Sequence, residues 1–109
     1  KGDAAAKRLI EDARILEEAG AFSIVLECIP AALGKEITES LEMITIGIGG
    51  GVHCDGQVLV VNDMLGTFER FTPKFVKKYA TLSKQMDEAF RKYNEEVKAG
   101  VFPGKEHSF

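Results

Sequence analysis

Along residues 4–19 the apolar positions Ala6, Leu9, Ala13 and Leu16 return at the spacing of one helix face, while Lys7, Arg8, Glu11, Asp12, Arg14, Glu17 and Glu18 fall mostly elsewhere around it. Asp3 stands where an N-cap belongs and Gly20 where a helix C′ residue belongs, so an amphipathic surface helix is predicted there. The period then changes. Residues 22–26 read Phe-Ser-Ile-Val-Leu, short and β-branched without alternation, as a strand buried on both faces of a parallel sheet does. Glu27-Cys28-Ile29-Pro30 ends it. Residues 31–41 read as a second helix with Pro30 suited to its first turn, and residues 43–48 as a second buried strand running straight into Gly49-Gly50-Gly51.

Helix, strand, helix, strand with short connections is the grammar of α/β folds. Residues 57–61 are again apolar and β-branched and are read as a third strand, with a short helix capped by Asp55 as the alternative. A parallel crossover normally takes about a dozen residues, so a third strand this soon after Ile48 needs a compressed connection. Residues 73–80 are predicted as a short helix. A longer one, capped by Thr81 or Ser83 and running to Ala99, carries Leu82, Met86, Ala89, Phe90, Tyr93 and Val97 on one stripe and closes at Gly100. That stripe is expected to be core or a contact with another subunit. The tail from Val101 to Phe109 reads as irregular, and no repeat or linker interrupts the chain.

Composition narrows the class. With 45% hydrophobic and 28% charged residues the chain is globular material, neither disordered nor collagen-like. Fourteen Lys+Arg against 17 Asp+Glu give a net charge of −3, without the basic excess that tracks a phosphate backbone, so no nucleic-acid partner is expected. No apolar run approaches the ~20 residues that span a bilayer, and the opening Lys-Gly-Asp does not read as a signal peptide. A cytoplasmic location with no membrane partner is therefore expected. Two cysteines are too few for a disulfide scaffold, in keeping with a reducing compartment. A complete eight-stranded β/α barrel takes about 200 residues or more, so 109 residues cannot form one alone.

Candidate chemistry gathers at two places. Glu27 follows an apolar strand at its carboxyl end, where parallel α/β folds assemble their sites. Half desolvated by apolar neighbours, its carboxyl group would accept or donate a proton near neutral pH; the plain alternative is a solvated residue just past the strand. Gly47, Gly49, Gly50 and Gly51 end the next strand. Glycines admit close backbone approach and free N–H groups that hold an anion, or they simply make a tight turn with positive φ. The spacing matches neither a dinucleotide fingerprint nor a P-loop. Cys28 and Cys54 flank these features without a clear activating partner, although His53 adjoins Cys54, so a nucleophilic role is only the lesser reading for them. His53 and His107 lack metal-ligand spacing. Asp55, Asn62 and Asp63 read as caps or turn residues, with polar site groups as the alternative, and Lys74, Lys77 and Lys78 as a solvated face.

Three segments together resemble the ketopantoate hydroxymethyltransferase family. They are Glu-Ala-Gly-Ala-Phe-Ser-Ile-Val-Leu-Glu-Cys-Ile-Pro at 18–30, Ile-Gly-Ile-Gly-Gly-Gly-Val-His-Cys-Asp-Gly-Gln-Val-Leu-Val at 46–60, and Phe-Pro-Gly-Lys-Glu-His-Ser-Phe at 102–109. The connecting helices match as well, so the resemblance covers essentially the whole chain. Gly50 departs from the family's usual Gly-Ile-Gly-Ala-Gly, which implies a slightly looser loop. The resemblance implies a β/α barrel of the phosphoenolpyruvate/pyruvate superfamily. It implies transfer of a one-carbon unit from the co-substrate 5,10-methylenetetrahydrofolate to 3-methyl-2-oxobutanoate, giving 2-dehydropantoate for pantothenate synthesis. It further implies a magnesium ion that polarises the keto acid, Glu27 as general base, and the glycines 47–51 beside the substrate.

The resemblance also implies that part of the machinery stands elsewhere. The family's magnesium-binding aspartates occur in Val-Gly-Asp-Ser and Ala-Asp-Met-Pro motifs, its site lysine in Val-Lys-Ile-Glu-Gly-Gly and a further histidine in Gly-His-Ile-Gly-Leu; none of these strings is present. The chain is accordingly expected to be the C-terminal segment of a single barrel domain, about strands six to eight and the closing helices. The partners expected are small-molecule substrates, the N-terminal part of the same enzyme and further copies in a homo-oligomer. By itself the segment is expected to be inactive. A non-catalytic half-barrel serving assembly is the alternative, since open strand edges invite pairing. A sister enzyme for another keto acid is argued against by Leu-Glu-Cys-Ile-Pro.

Overall fold

Three parallel strands form one sheet in the order β1-β2-β3: β1 (Ser23–Glu27), β2 (Ile44–Ile48) and the very short β3 (Gly56–Gln57). The computed structural model describes residues 2–109. The chain divides into two compact units, Lys1–Leu59 and Val60–Phe109. The sheet belongs to the first, with helices α1 (Gly2–Glu18) and α2 (Ala31–Ser40). The second holds α3 (Val61–Leu65), α4 (Leu82–Lys98) and a 3-10 turn at Lys105–His107. Among the described residues no helix is long and apolar enough to cross a membrane.

The first unit follows its apolar pattern. Ala13 of α1, Leu26 of β1, Leu33 and Ile37 of α2, and Cys54 are buried together, with Ala6, Ile10, Ile24, Ile29 and Leu41 packed against them. Helix α1 ends as Gly20 predicts. Gly20 has φ 97°, and the N–H groups of Gly20 and Ala21 donate back to the carbonyls of Glu17 and Leu16 at 2.9 and 3.0 Å, a Schellman closure. Asp3 lies inside the first turn rather than capping it.

The sheet is covered on one face only. Leu26, Thr45 and Gly47 are buried toward the helices. On the other face Val25 is 57% and Ile44 53% exposed. Burial of both faces, predicted from the unbroken apolar run, is therefore not met by the described residues: the outward side chains meet water. Among the described residues the outer edge of β1 is also unpaired, and a cleft of about 320 Å³ runs along it, lined by Leu9, Leu16, Ile24, Val25, Glu27 and Ile29 among others.

The stretch after β2 departs furthest from expectation. The third strand is only Gly56–Gln57, pairing with Ile46 and Gly47, and one further bond, Val58 N–H to Gly47 O at 3.0 Å, ends the ladder. Helix α3 then starts at Val61, with Val60 in the capping position and no side-chain cap. Asp55 caps nothing. In the second unit residues 73–80 form no helix. A turn bond joins Val76 N–H to Pro73 O, but the Tyr79 N–H donates across to Met64 O at 2.8 Å. A helix of two turns is marginal by itself, and the tie to α3 prevails. Helix α4 runs as predicted, but Met86, Phe90, Tyr93 and Val97 are exposed and none of its residues is buried. Its stripe is thus not core within the described chain.

Candidate functional site

The register of the parallel pair brings the candidate residues to one edge. Glu27 stands opposite Ile48, so Glu27 and the glycine run after Ile48 leave the sheet at the same carboxyl end. Strand alternation sends Leu26 into the core and Glu27 to the opposite, uncovered face beside Val25. Glu27 is exposed there. The half-desolvated setting expected for it is not supplied by the described residues, because that face carries no second layer. Cys28, directly after it, has φ 54° and donates its N–H to Ile48 O at 2.9 Å. A left-handed non-glycine residue costs about 1–2 kcal/mol, and such strain gathers where geometry is held for a purpose.

The glycine run folds back over the first turn of α2. Gly49 and Gly51 have φ 71° and 90°. A Cβ on Gly51 would stand 2.6 Å from the Ala31 Cβ, and one on Gly50 would stand 3.0 Å from Leu26 O. Gly47 leaves room for the Cys54 sulfur and the Gln57 amide, each 3.0 Å from where its Cβ would be. Tight packing and positive φ thus account for the side-chain-free positions. Among the described residues no hydrogen bond leaves the N–H groups of Gly49, Gly50, Gly51 or Val52.

A polar clasp holds the connection to β3. Thr45 is 0% exposed. Its N–H and hydroxyl reach Asp55 Oδ2 at 2.8 and 3.1 Å, and the Asp55 N–H returns to Thr45 Oγ1 at 3.2 Å. Thr38 Oγ1 donates to Gly34 O at 2.8 Å and lies 2.9 Å from Thr45 Oγ1. The single Thr45 hydroxyl proton therefore goes either to the carboxylate or to Thr38. Farther along, Gln57 Nε2 donates to Gly51 O at 2.8 Å. Asp55 is thus a tertiary clasp rather than a helix cap, and this closes the compressed parallel connection.

The other candidates separate. Cys28 is exposed and Cys54 buried, both free thiols. His53 is exposed at the loop tip. His107 lies in the second unit, against Phe102 with ring centroids 5.3 Å apart. Asn62 and Asp63 sit in α3, where their carbonyls receive the N–H of Gly66 at its C-terminus. Lys77 lies over the Tyr79 ring at 4.9 Å, and Lys74 and Lys78 are exposed. Among the described residues no three His, Cys, Asp or Glu side chains cluster to hold a metal ion. These residues do not by themselves fit a magnesium site.

A family model for ketopantoate hydroxymethyltransferase matches residues 1–105. The chain belongs to the ketopantoate hydroxymethyltransferase family. A 3-methyl-2-oxobutanoate hydroxymethyltransferase of Syntrophus aciditrophicus (strain SB) is 67% identical over 109 residues, covering 100% of this chain and 40% of that relative. The enzyme of the same name from Enterococcus faecalis (strain ATCC 700802 / V583) is 59% identical with the same coverage. That of Syntrophobacter fumaroxidans (strain DSM 10017 / MPOB) is 61% identical over 105 residues, 96% of this chain and 37% of that relative. The chain spans about two-fifths of the length of the curated relatives it matches.

Within this ketopantoate hydroxymethyltransferase segment, the sequence singled out Glu27 and the glycines but not the groups that hold them. Gln57 and the left-handed Cys28 carry no composition or spacing signal. Asp55 was read as a cap because its partner Thr45 stands ten positions earlier, beyond any local pattern.

Proposed function

We propose that this chain is the C-terminal part, about strands six to eight with the closing helices, of one (β/α)8 barrel domain. The barrel transfers a hydroxymethyl group from 5,10-methylenetetrahydrofolate to 3-methyl-2-oxobutanoate. The observation that carries the reading is the carboxyl edge of the parallel pair. There a carboxylate, the strained residue after it and a run of unpaired N–H donors meet at the end of β-strands, where such barrels place their chemistry.

Glu27 acts as general base. Its carboxylate removes the proton from C3 of the keto acid, and the C–H electron pair moves into the enolate. Water opens the methylene bridge of the co-substrate, so that tetrahydrofolate departs and the one-carbon unit stands at the formaldehyde level; C3 of the enolate then bonds to that carbon, the C=O electron pair goes to its oxygen, and this alkoxide takes the proton back from Glu27 to give 2-dehydropantoate. Magnesium, when bound by the N-terminal part of the barrel, supplies Lewis-acid polarisation of the keto group. The glycines 47–51 lie beside the keto acid. The free edge of β1 and its cleft support a sheet that continues into the N-terminal strands, whose layer would take Glu27 out of water. The exposed stripe of α4 supports a homo-oligomer, and the absence of a spanning helix among the described residues is in keeping with a cytoplasmic enzyme.

Glu27→Gln in the complete enzyme tests the base. It keeps shape and removes the proton acceptor, so turnover falls ~10²-fold or more; near-normal turnover returns Glu27 to a solvated loop residue. The unpaired β1 edge also favours a second reading, a non-catalytic half-barrel used in assembly. Intact mass of purified material separates the two. A co-purifying fragment of ~150 residues speaks for a divided enzyme, and a folded monomer without it for the module.

A further inference from the structure

The second compact unit carries a stretch of surface that the chemistry above does not use. From Arg70 to Met86 the chain has five cations, Arg70, Lys74, Lys77, Lys78 and Lys84, and no carboxylate, although its net charge is −3. All five are exposed, and among the described residues none takes part in an ion pair. The carboxylates at either end are engaged. Glu69 Oε1 accepts the Ser83 hydroxyl at 2.6 Å, and Asp87 pairs with Arg91 at 2.9 Å. The stretch is tied down rather than loose: the Tyr79 N–H donates to Met64 O at 2.8 Å and the Ser83 N–H to Gly66 O at 3.0 Å, strapping it to α3 and the residue after it. Lys77 Nζ is held 4.9 Å above the Tyr79 ring. Like charges gathered in this way repel one another and stabilise nothing by themselves, so a fixed and unneutralised set suits an anion with several charges. Elsewhere in the chain 17 Asp+Glu outnumber the remaining Lys+Arg. That balance repels a long polyanion such as nucleic acid and leaves a short one as the fitting partner.

We propose that this cationic stretch binds the glutamyl end of the folate co-substrate and selects its polyglutamylated form. Of the two reactants, the 2-oxo acid brings a single carboxylate. The folate ends in glutamate, at the opposite end of the molecule from the carbon it delivers, and each further γ-linked residue adds one carboxylate. Those carboxylates need no place among the reacting groups. Exposed ammonium groups on flexible stems suit a flexible chain of spaced charges. The inference rests on the proposed hydroxymethyltransferase reading and deepens it by naming the class of folate and the residues that select it.

The test uses the complete enzyme with the mono- and triglutamyl forms of 5,10-methylenetetrahydrofolate. At low salt KM for the triglutamyl form is expected to be about fivefold or more below that for the monoglutamyl form, from several exposed ion pairs acting together. The gap should close as salt screens the charges toward about 1 M. Lys74→Gln, Lys77→Gln and Lys78→Gln combined should bring the two values to within about twofold of each other, whereas Arg at the same positions should keep the gap. KM for the 2-oxo acid should not move. Equal KM for both forms in the wild-type enzyme, a gap that survives the Gln substitutions, or one lost equally with Arg overturns the assignment. If the combined Gln variant fails to fold, Lys74→Gln with Lys78→Gln, both exposed, decides on the same criterion. A wild-type enzyme without transfer activity overturns both readings. One that depends on Glu27 and makes no distinction between the two folates overturns this one alone.

Discussion

Cys28 shows how a single backbone angle shapes the site. At φ 54° the chain leaves β1 abruptly just after Glu27, with the Cys28 N–H tied to Ile48 O at 2.9 Å. A β-branched side chain fits that region worst, so Cys28→Val is expected to lower stability by about 1–2 kcal/mol. Chemical denaturation of the complete protein measures this, and an unchanged midpoint would show that the backbone relaxes freely. Asp55 acts through hydrogen bonds instead. Asp55→Ala leaves the buried Thr45 N–H without its acceptor, at a cost of about 1–3 kcal/mol by the same measurement. Glu27 was legible from its place after an apolar strand. Its exposure was not, since that depends on what covers the opposite face of the sheet.

Among the elements, the loop 49–55 and the first turn of α2 are fitted to each other. Gly51→Ala adds a Cβ 2.6 Å from that of Ala31 at a φ of 90°. The expected loss is roughly 2–4 kcal/mol, combining overpacking with backbone strain. Ala31→Gly removes the closest contact but leaves the residue 31 Cα 2.8 Å from the added Cβ and the strain in place, so the double variant should recover only part of the loss, and a double-mutant cycle by thermal unfolding should give a favourable coupling. Strict additivity would mean that the two do not meet. Helix ends with their own chemistry, such as Gly20, were legible in the chain. The segment 73–80 was not, because the Tyr79 N–H finds Met64 O, a partner no local propensity anticipates.

For the whole molecule, the bare face of the sheet is the governing feature. Val25 and Ile44 are more than half exposed there, beside a cleft along the free edge of β1. Apolar surface and an open strand edge of this kind seek a cover. The 109-residue chain produced alone is expected to bind a hydrophobic dye and to self-associate in analytical ultracentrifugation. A monodisperse monomer that leaves the dye dark would show that the face is stable in water. The same chain is expected to give no hydroxymethyl transfer; measurable transfer would overturn the proposal that metal and substrate ligands lie in an N-terminal part.

By itself the sequence determined the alternation of α1, β1, α2 and β2, the ends of the long helices and the place of Glu27, because apolar period, glycine and proline act within a few residues. It also carried the family, through motifs that need no coordinates to match. Only the tertiary structure decided the rest. The length of β3 follows from a clasp between Thr45 and Asp55, the glycines from what their absent side chains would strike, and the hydrogen bond to the Gly51 carbonyl from Gln57 crossing to a neighbouring loop. These contacts join residues too far apart for any helical or strand period to register, and so they become visible only when the chain is folded.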